Sequence, residues 1–132
     1  MHKPQEFYEK IAYLFYAIAD IDGKVDEAEI RKLHEEVLLI WKNTDTDSHE
    51  FGTSGGVEIE AIFEWLEEEG YKSKDAWRDF KDYAIANHYL FDNITKANIV
   101  HTCSELASIY HGVNNKEEAM LKKIKTFLLK LP

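Results

Sequence analysis

Apolar residues recur at helical spacing along most of the chain, and short polar or glycine-bearing segments separate the apolar runs. Such spacing places each apolar set on one face of a helix. The inward positions predicted for six successive helices are Phe7, Ile11, Leu14, Phe15 and Ile18; Ile30, Leu33, Val37 and Trp41; Ile59, Ile62, Phe63 and Leu66; Trp77, Phe80, Ala84 and His88; Ile99, Cys103, Leu106 and Tyr110; and Leu121, Ile124, Leu128 and Leu131. With only six Gly and two Pro, the chain favours an all-α bundle of about six to seven helices over a turn-rich β fold.

Residues that start or stop helices set the predicted boundaries. The first helix is predicted from about Pro4 to Asp22, and Asp26 with Glu29 forms a capping box for the second. The other predicted boundary residues are Gly23, Gly70 and Gly112 at helix ends, Ser73 or Asp75 before the fourth helix, Asp92 or Asn93 before the fifth, and Asn115 before the sixth. The polar segment 43–56 is predicted to be a long, mobile loop within a single domain spanning 1–132.

The first and last helical hairpins are weakly repeated. The cap pattern "DEAE" at 26–29 aligns with "NKEE" at 115–118, and a glycine ends the preceding helix in both hairpins. The repeats differ in charge, because the positions of Asp20, Asp22 and Asp26 are occupied by Ile109, His111 and Asn115 in the second copy. If the two hairpins share a fold, only the first therefore keeps an acidic cluster.

Composition and charge exclude several classes of protein. The chain has 132 residues, 45% of them hydrophobic, and a formal net charge of −9, which is the opposite of the balance expected for a nucleic-acid binder. A single cysteine, Cys103, rules out an intramolecular disulfide and fits a reducing compartment. Residues 1–20 lack a signal-peptide layout, and no apolar run approaches a membrane span. We therefore expect a cytoplasmic protein without an integral membrane segment.

The stretch "AIADIDGKVDEAEI" at 17–30 concentrates carboxylates around Gly23. Capping explains Asp26 and Glu29, but Asp20 and Asp22 lie at a helix C-terminus, where the macrodipole disfavours each negative charge by about 0.3–1 kcal/mol. A bound divalent cation would reverse the sign of these interactions. We therefore predict a weak metal site for Ca²⁺, Mg²⁺ or Zn²⁺ at Asp20, Asp22, Asp26 and Glu29.

An EF-hand-like calcium loop is an alternative interpretation of the same carboxylates. With Gly23 at the sixth position of the loop, Asp20, Asp22, Asp26 and Glu29 occupy the third, fifth, ninth and twelfth ligand positions. The first position is then Ile18, which cannot bind a cation. The loop would therefore be a degenerate EF-hand that lacks its first carboxylate.

Residues 10–37 resemble the signature hairpin of the TerB-like family, an all-helical tellurite-resistance domain. The pattern A-x-A-D-x-D-G-x-V-x-x-x-E, from Ala17 to Glu29, supports the resemblance, and "ASIYHGVNNKEE" at 107–118 would be the second copy. The resemblance implies a compact domain with two pseudo-twofold-related helical hairpins and a cation-binding acidic loop. It also implies a non-enzymatic binding or sensor module linked to stress or tellurite and metal resistance. In the second copy His111 replaces the aspartate, so His111 and Glu118 are candidates for a further contribution to the site.

Three other motifs are candidates for catalytic or metal sites, and each has a simpler structural interpretation. "GTSGG" at 52–56 matches the nucleophile-elbow pattern around Ser54, but that elbow needs a preceding strand, and no strand pattern occurs there. The segment "DTDSHE" at 45–50 is interpreted as a solvated loop. His101 and Cys103 lie two apart on a helix and point away from each other, so Cys103 is predicted to be a core residue.

A structural or adaptor protein, in which the acidic hairpin is only a capped turn, remains the alternative to a cation-binding module.

The last helix contains more apolar residues than one inward stripe needs. Met120, Phe127 and Leu129 lie to the sides of that stripe, and lysines flank them. These residues either widen the core face or form an exposed apolar strip on an otherwise acidic protein. The second interpretation predicts protein partners, most simply a weak homodimer, with Phe127 at the contact.

Overall fold

A computed structural model of the chain describes residues 3–21, 25, 27–41, 55–108 and 115–132. Its helices are α1 (Gln5–Ala19), α2 (Glu27–Glu36), α3 (Gly55–Glu68), α4 (Ser73–Ala86), α5 (Asn93–Ala107) and α6 (Asn115–Lys130), with a π-helical turn at Val37–Trp41 and a 3₁₀ turn at His88–Leu90. The described ranges contain no strand, which confirms the predicted all-α bundle. Within these ranges, no helix has both the length and the apolar character needed to cross a membrane.

Helix α1 lies at the centre of the bundle and packs chiefly against α3 and α4, with further contacts to α5 and α6. Its second half, 14–19, is buried on every side, and not only on the face predicted from helical spacing. A helix surrounded by other helices has no solvent-facing side, so an uninterrupted apolar run is stable there. The hairpin that begins at the end of α1 is therefore attached to a helix whose C-terminal half is fully buried.

Several predicted boundaries are confirmed. Gly70 ends α3 with φ +67°, a left-handed conformation that glycine adopts without strain. Asp92 caps α5, because its Oδ1 accepts a hydrogen bond of 2.8 Å from the backbone N–H of Thr95. Helix α1 ends at Ala19, three residues before the predicted end, and Asp20 is its C-cap.

The predicted loop 43–56 was too long at its C-terminal end, and its other residues lie outside the described ranges. Gly55 and Gly56 are buried and form the first turn of α3. A β-carbon at Gly55 would overlap the ring of Tyr8 on α1, so glycine permits the close approach of the two helices. Polar composition alone does not reveal such a contact.

Most predicted inward positions are buried, and His88 is the clear error. His88 is exposed because α4 ends at Ala86 and the 3₁₀ turn that follows directs Leu90, with Phe91, into the core. The half-buried members of the predicted set are Ile30, Ile62 and Trp77, which still pack against the core, and Tyr110 lies outside the described ranges.

Trp41 links the end of the second helical segment to α5. Its ring packs against Phe15 with 5.7 Å between ring centroids, and its Nε1–H donates a 3.0 Å hydrogen bond to Thr102 Oγ1. The Thr102 hydroxyl in turn donates to the carbonyl oxygen of Asn98, also at 3.0 Å. Buried hydrogen bonds of this kind hold the π-helical turn that follows α2 next to the middle of α5.

Candidate functional site

The acidic hairpin between α1 and α2 is anchored on both sides of its turn. The backbone N–H of Asp20 donates a 2.8 Å hydrogen bond to the carbonyl oxygen of Tyr16. Ile21 and Val25, on either side of 22–24, are half-buried and pack against the core. The backbone that bears the first predicted ligand is thus held by the fold.

Of the two predicted hairpin ligands that the structure describes, Glu29 is buried. It lies in the first turn of α2, where the helix dipole favours negative charge, and only 7% of it is exposed. Asp20 is half-buried at the opposite side of the turn. The other two predicted ligands, Asp22 and Asp26, lie outside the described residues, and so does the predicted capping contact of Asp26.

Two carboxylates act on the Tyr16 hydroxyl near this end of α1. Burial, followed by the charges of Asp20 and Glu67, raises the pKa of Tyr16 to about 12. The Tyr16 hydroxyl donates a 2.8 Å hydrogen bond to the carbonyl oxygen of Tyr71. Ionisation of Tyr16 would therefore add a buried negative charge close to the predicted ligand Asp20.

Of the two candidates from the second repeat, His111 and Glu118, the structure describes only Glu118. His111 lies outside the described residues. Glu118 is exposed on α6, where its Oε1 lies 3.9 Å from Lys122 Nζ one turn later. A pair of this spacing on an exposed helix contributes at most a few tenths of a kcal/mol, about 0.2–0.5. The contacts of Glu118 are those of a surface residue.

The three residues predicted to flank the inward stripe of α6 differ in burial. Met120 is buried in the core, whereas Leu129 is 85% exposed. Phe127 is half-buried, and its ring centroid lies 5.6 Å from that of Trp77 and 6.1 Å from that of Phe80. Only Leu129 of the predicted strip therefore presents most of its surface to solvent.

A second group of metal-ligating side chains joins α2 to α5. One ligand atom each from Glu36, His101 and Glu105 lies within 4.8 Å of the other two. Glu36 Oε1 and His101 Nε2 are 3.0 Å apart. The Glu36 side chain is 4% exposed, that of His101 58% and that of Glu105 35%, so the cluster has a buried floor and an open outer side.

The buried oxygen of this cluster lacks a hydrogen bond. Although Glu36 Oε1 lies close to the His101 ring, the geometry is not that of a hydrogen bond, and no other described residue supplies one. Lys32 ion-pairs with the third member of the cluster, since its Nζ is 3.7 Å from Glu105 Oε1, and it also lies 3.8 Å from Glu35 Oε2. An unpartnered buried carboxylate oxygen requires a physical explanation.

Local sequence places two of the three ligands on one helical face. His101 and Glu105 are four residues apart on α5, so their side chains lie one above the other. Cys103, two residues after His101, is fully buried in the core, as predicted, and burial raises the pKa of its thiol. The His-x-x-x-Glu spacing was the available signal, whereas the third ligand, Glu36, is distant in sequence.

The remaining motifs fall mostly outside the described ranges. Ser54 of the "GTSGG" pattern and the whole of "DTDSHE" lie there, while Gly55 and Gly56 belong to α3. Comparisons with protein-family models, with curated proteins and with solved structures found no match.

Proposed function

We propose that this protein is a non-enzymatic helical binding module that takes a divalent cation at the acidic hairpin between α1 and α2. The main supporting observation is that Ile21 and Val25, which flank 22–24, both pack against the core, and that Asp20 directly precedes Ile21. Ligands held in place before the ion arrives cost less free energy to order on binding. The proposed role in stress or in tellurite and metal resistance comes from the TerB-like resemblance.

The predicted ligand set consists only of oxygen atoms. Carboxylates at Asp20, Asp22, Asp26 and Glu29 suit hard cations such as Ca²⁺ and Mg²⁺, while Zn²⁺ also accepts oxygen ligands. Water must complete the coordination, because Ile18 occupies the first EF-hand-like position. We expect a dissociation constant no better than about 10⁻⁴ to 10⁻³ M, the range of weak calcium modules.

Calorimetric titration of the full chain with Ca²⁺, Mg²⁺ and Zn²⁺ tests this function. Asp22→Asn should remove or weaken the binding heat, since it deletes one predicted ligand charge. Asp82→Asn is the matched control, because it removes the same charge from an exposed position on α4. Absence of heat with all three ions, from a protein whose circular dichroism is helical, would exclude a cation site at the hairpin.

A protein-docking adaptor that forms a weak homodimer is the second candidate. It is favoured by Leu129, an 85% exposed apolar residue on α6, in a chain of net charge −9 whose last helix is lysine-rich. Lys122, Lys123 and Lys130 also line a groove over Trp77 and Phe127. A basic helix and an acidic body are complementary between two copies of the chain.

Sedimentation at low and high salt tests the dimer. Leu129→Asp should abolish a salt-sensitive dimer and leave the monomer folded, because Leu129 is exposed. Phe127→Asp should in addition lower the melting temperature, since Phe127 packs against Trp77 and Phe80. A wild type that stays monomeric at high protein concentration and low salt would rule this candidate out.

A further inference from the structure

We propose that Glu36, His101 and Glu105 form a second divalent-cation site, independent of the acidic hairpin, that selects a borderline first-row ion of the Zn²⁺ class. One imidazole nitrogen and two carboxylate oxygens converge there from α2 and α5. Imidazole favours Zn²⁺ and its neighbours in the first transition row over Ca²⁺ and Mg²⁺, which prefer oxygen alone. Three protein ligands leave a further position for water, as in open zinc sites.

The separation of Glu36 Oε1 and His101 Nε2 is compatible with a shared ion. With metal–ligand bonds of about 2.0–2.1 Å, two ligands 3.0 Å apart subtend an angle of roughly 95° at the metal. This angle lies between the octahedral and tetrahedral values. All three ligand atoms lie within 4.8 Å of one another, so an inward shift of at most roughly 1.5 Å brings the outermost atom to the same bond lengths. A partly exposed glutamate such as Glu105 can make this shift by changing rotamer.

The buried oxygen of Glu36 supplies the second, independent observation. A hydrogen bond would place Glu36 Oε1 close to the line along which His101 Nε2–H points, and this geometry is not met. A cation bound to Nε2 along its lone pair and bound also to Oε1 must lie off the line that joins the two atoms. The close but misaligned contact therefore suits a shared ion better than a shared proton.

A plain ion pair is the competing explanation, and the protein contains one for comparison. His34 Nδ1 and Glu60 Oε1, between α2 and α3, are 2.9 Å apart and satisfy hydrogen-bond geometry at an exposed position. The Glu36–His101 pair has nearly the same separation, but it has a buried oxygen, no hydrogen bond and a second carboxylate nearby. The two pairs thus share their chemistry and differ in the features that a metal site needs.

Charge and access are both compatible with an ion. Glu36 and Glu105 offer two carboxylates to a dication. Lys32 Nζ lies 3.7 Å from Glu105 Oε1, and its side chain is partly exposed, so it can turn towards solvent when an ion takes its place. His101 and Ser104 also line an open groove of about 720 Å³ between α5 and α6. An ion and its remaining waters can therefore reach the cluster from outside without any change in the helices.

Cobalt absorption spectroscopy on the full chain is the direct test, because four- and five-coordinate Co²⁺ absorbs visible light far more strongly than the aqua ion. We expect such a band, its displacement by Zn²⁺, and persistence of the site in Asp22→Asn. Removing a ligand by Glu36→Gln, His101→Gln or Glu105→Gln should weaken Co²⁺ and Zn²⁺ binding by at least about tenfold, since even outer-shell changes at metal sites cost that much. His34→Gln is the matched control and should bind like the wild type.

His101→Gln decides the outcome if a change at the buried Glu36 prevents folding, because the His101 side chain is 58% exposed. A wild type with only the weak aqua-ion spectrum at millimolar Co²⁺ would overturn the proposal. A strong band that survives unchanged in a folded His101→Gln protein would overturn it as well. Loss of the band in Asp22→Asn, with retention in His101→Gln, would assign the ion to the hairpin and likewise reject this site.

Discussion

Helix α2 carries a buried glutamate near each end, and the two residues belong to different kinds of cluster. Glu29 and Glu36 are seven residues apart, which is about two helical turns, so both lie on one face. At the first end, the predicted ligands come from one continuous stretch, 20–29, and contribute only carboxylates. At the second end, two of the three ligands come from α5, and one of them is an imidazole.

The comparison shows how the origin of a ligand set affects its chemistry. A single turn brings together residues that are close in sequence, and its carboxylates repel each other unless a cation or a helix dipole compensates them. A contact between two helices can combine a buried carboxylate with a nitrogen ligand. Helix packing then holds the two side chains in position before an ion binds. The two ends of α2 should therefore differ in metal preference and in their sensitivity to tertiary packing.

The largest effect is expected for Thr102→Val. Thr102 Oγ1 accepts the hydrogen bond of the buried Trp41 Nε1–H, which helps to hold the end of α2 against α5. Loss of a buried hydrogen-bond partner costs about 1–3 kcal/mol. Urea denaturation should show this decrease in the free energy of unfolding, and Co²⁺ titration should show weaker binding at the cluster of Glu36, His101 and Glu105. An equal loss of Ca²⁺ binding at the hairpin would mean that the two ends of α2 are not independent.

The next effect concerns the hairpin without metal. Asp26 is the predicted cap of α2, and Asp26→Ala should lower the free energy of unfolding by about 1 kcal/mol through cap loss, with or without chelator. Urea denaturation in the presence of a chelator measures this change. The variant should leave Co²⁺ binding at the Glu36–His101–Glu105 cluster unaltered. A neutral result in chelator would contradict the capping assignment made from the pattern "DEAE".

A smaller change is expected for Lys32→Met. Lys32 Nζ lies 3.7 Å from Glu105 Oε1, so its charge competes with any ion bound by that carboxylate. The substitution keeps a long side chain and removes the charge, and interactions between partly exposed charges are worth about 0.2–1 kcal/mol. Zn²⁺ should therefore bind a few-fold more tightly by competitive titration, whereas Ca²⁺ binding at the hairpin should be unchanged. Weaker Zn²⁺ binding would show that Lys32 positions Glu105 instead of competing for it.

The smallest effect is a shift in the titration of Tyr16. Its pKa, which burial and then the charges of Asp20 and Glu67 raise to about 12, should fall in Asp20→Asn. Because the folded pKa of Tyr16 lies above the ordinary value of 10.0, the neutral form stabilises the fold below about pH 10, and this stability is lost as the pH rises through 12. The alkaline loss should be smaller in Asp20→Asn, as measured by tyrosine absorbance and by urea denaturation at several pH values. Identical titration curves would show that the Asp20 charge does not reach the Tyr16 hydroxyl.

Much of the fold follows from local patterns in the sequence. The caps at Asp92 and Gly70 depend on neighbouring residues alone, and both are found where they were predicted. The burial of Ile99, Cys103 and Leu106 follows from helical spacing in the same way. Such features need no knowledge of which helix packs against which, because a residue's own neighbours determine them.

The errors occur where a distant residue decides the outcome. Gly55, predicted to lie in the loop, is the first residue of α3 and lies against the Tyr8 ring of α1, a contact that no local pattern contains. The half-burial of Phe127 likewise depends on α4, because its ring packs against Trp77 and Phe80 there, and its role at a partner contact stays a prediction. For the candidate sites, sequence spacing identified the acidic hairpin and missed the cluster that needs Glu36 beside His101.

By itself, the sequence determined the all-α class, most inward faces of the helices and the concentration of carboxylates around Gly23. These properties depend on the helical period and on charges a few residues apart. Only the tertiary structure decided that Glu36 is buried with an unpartnered oxygen, and that the imidazole of His101 lies 3.0 Å away. The physical reason is that desolvation and ligand distances depend on helix packing. Packing brings Glu36 and His101 together although they are 65 positions apart, and no spacing pattern in the sequence relates them.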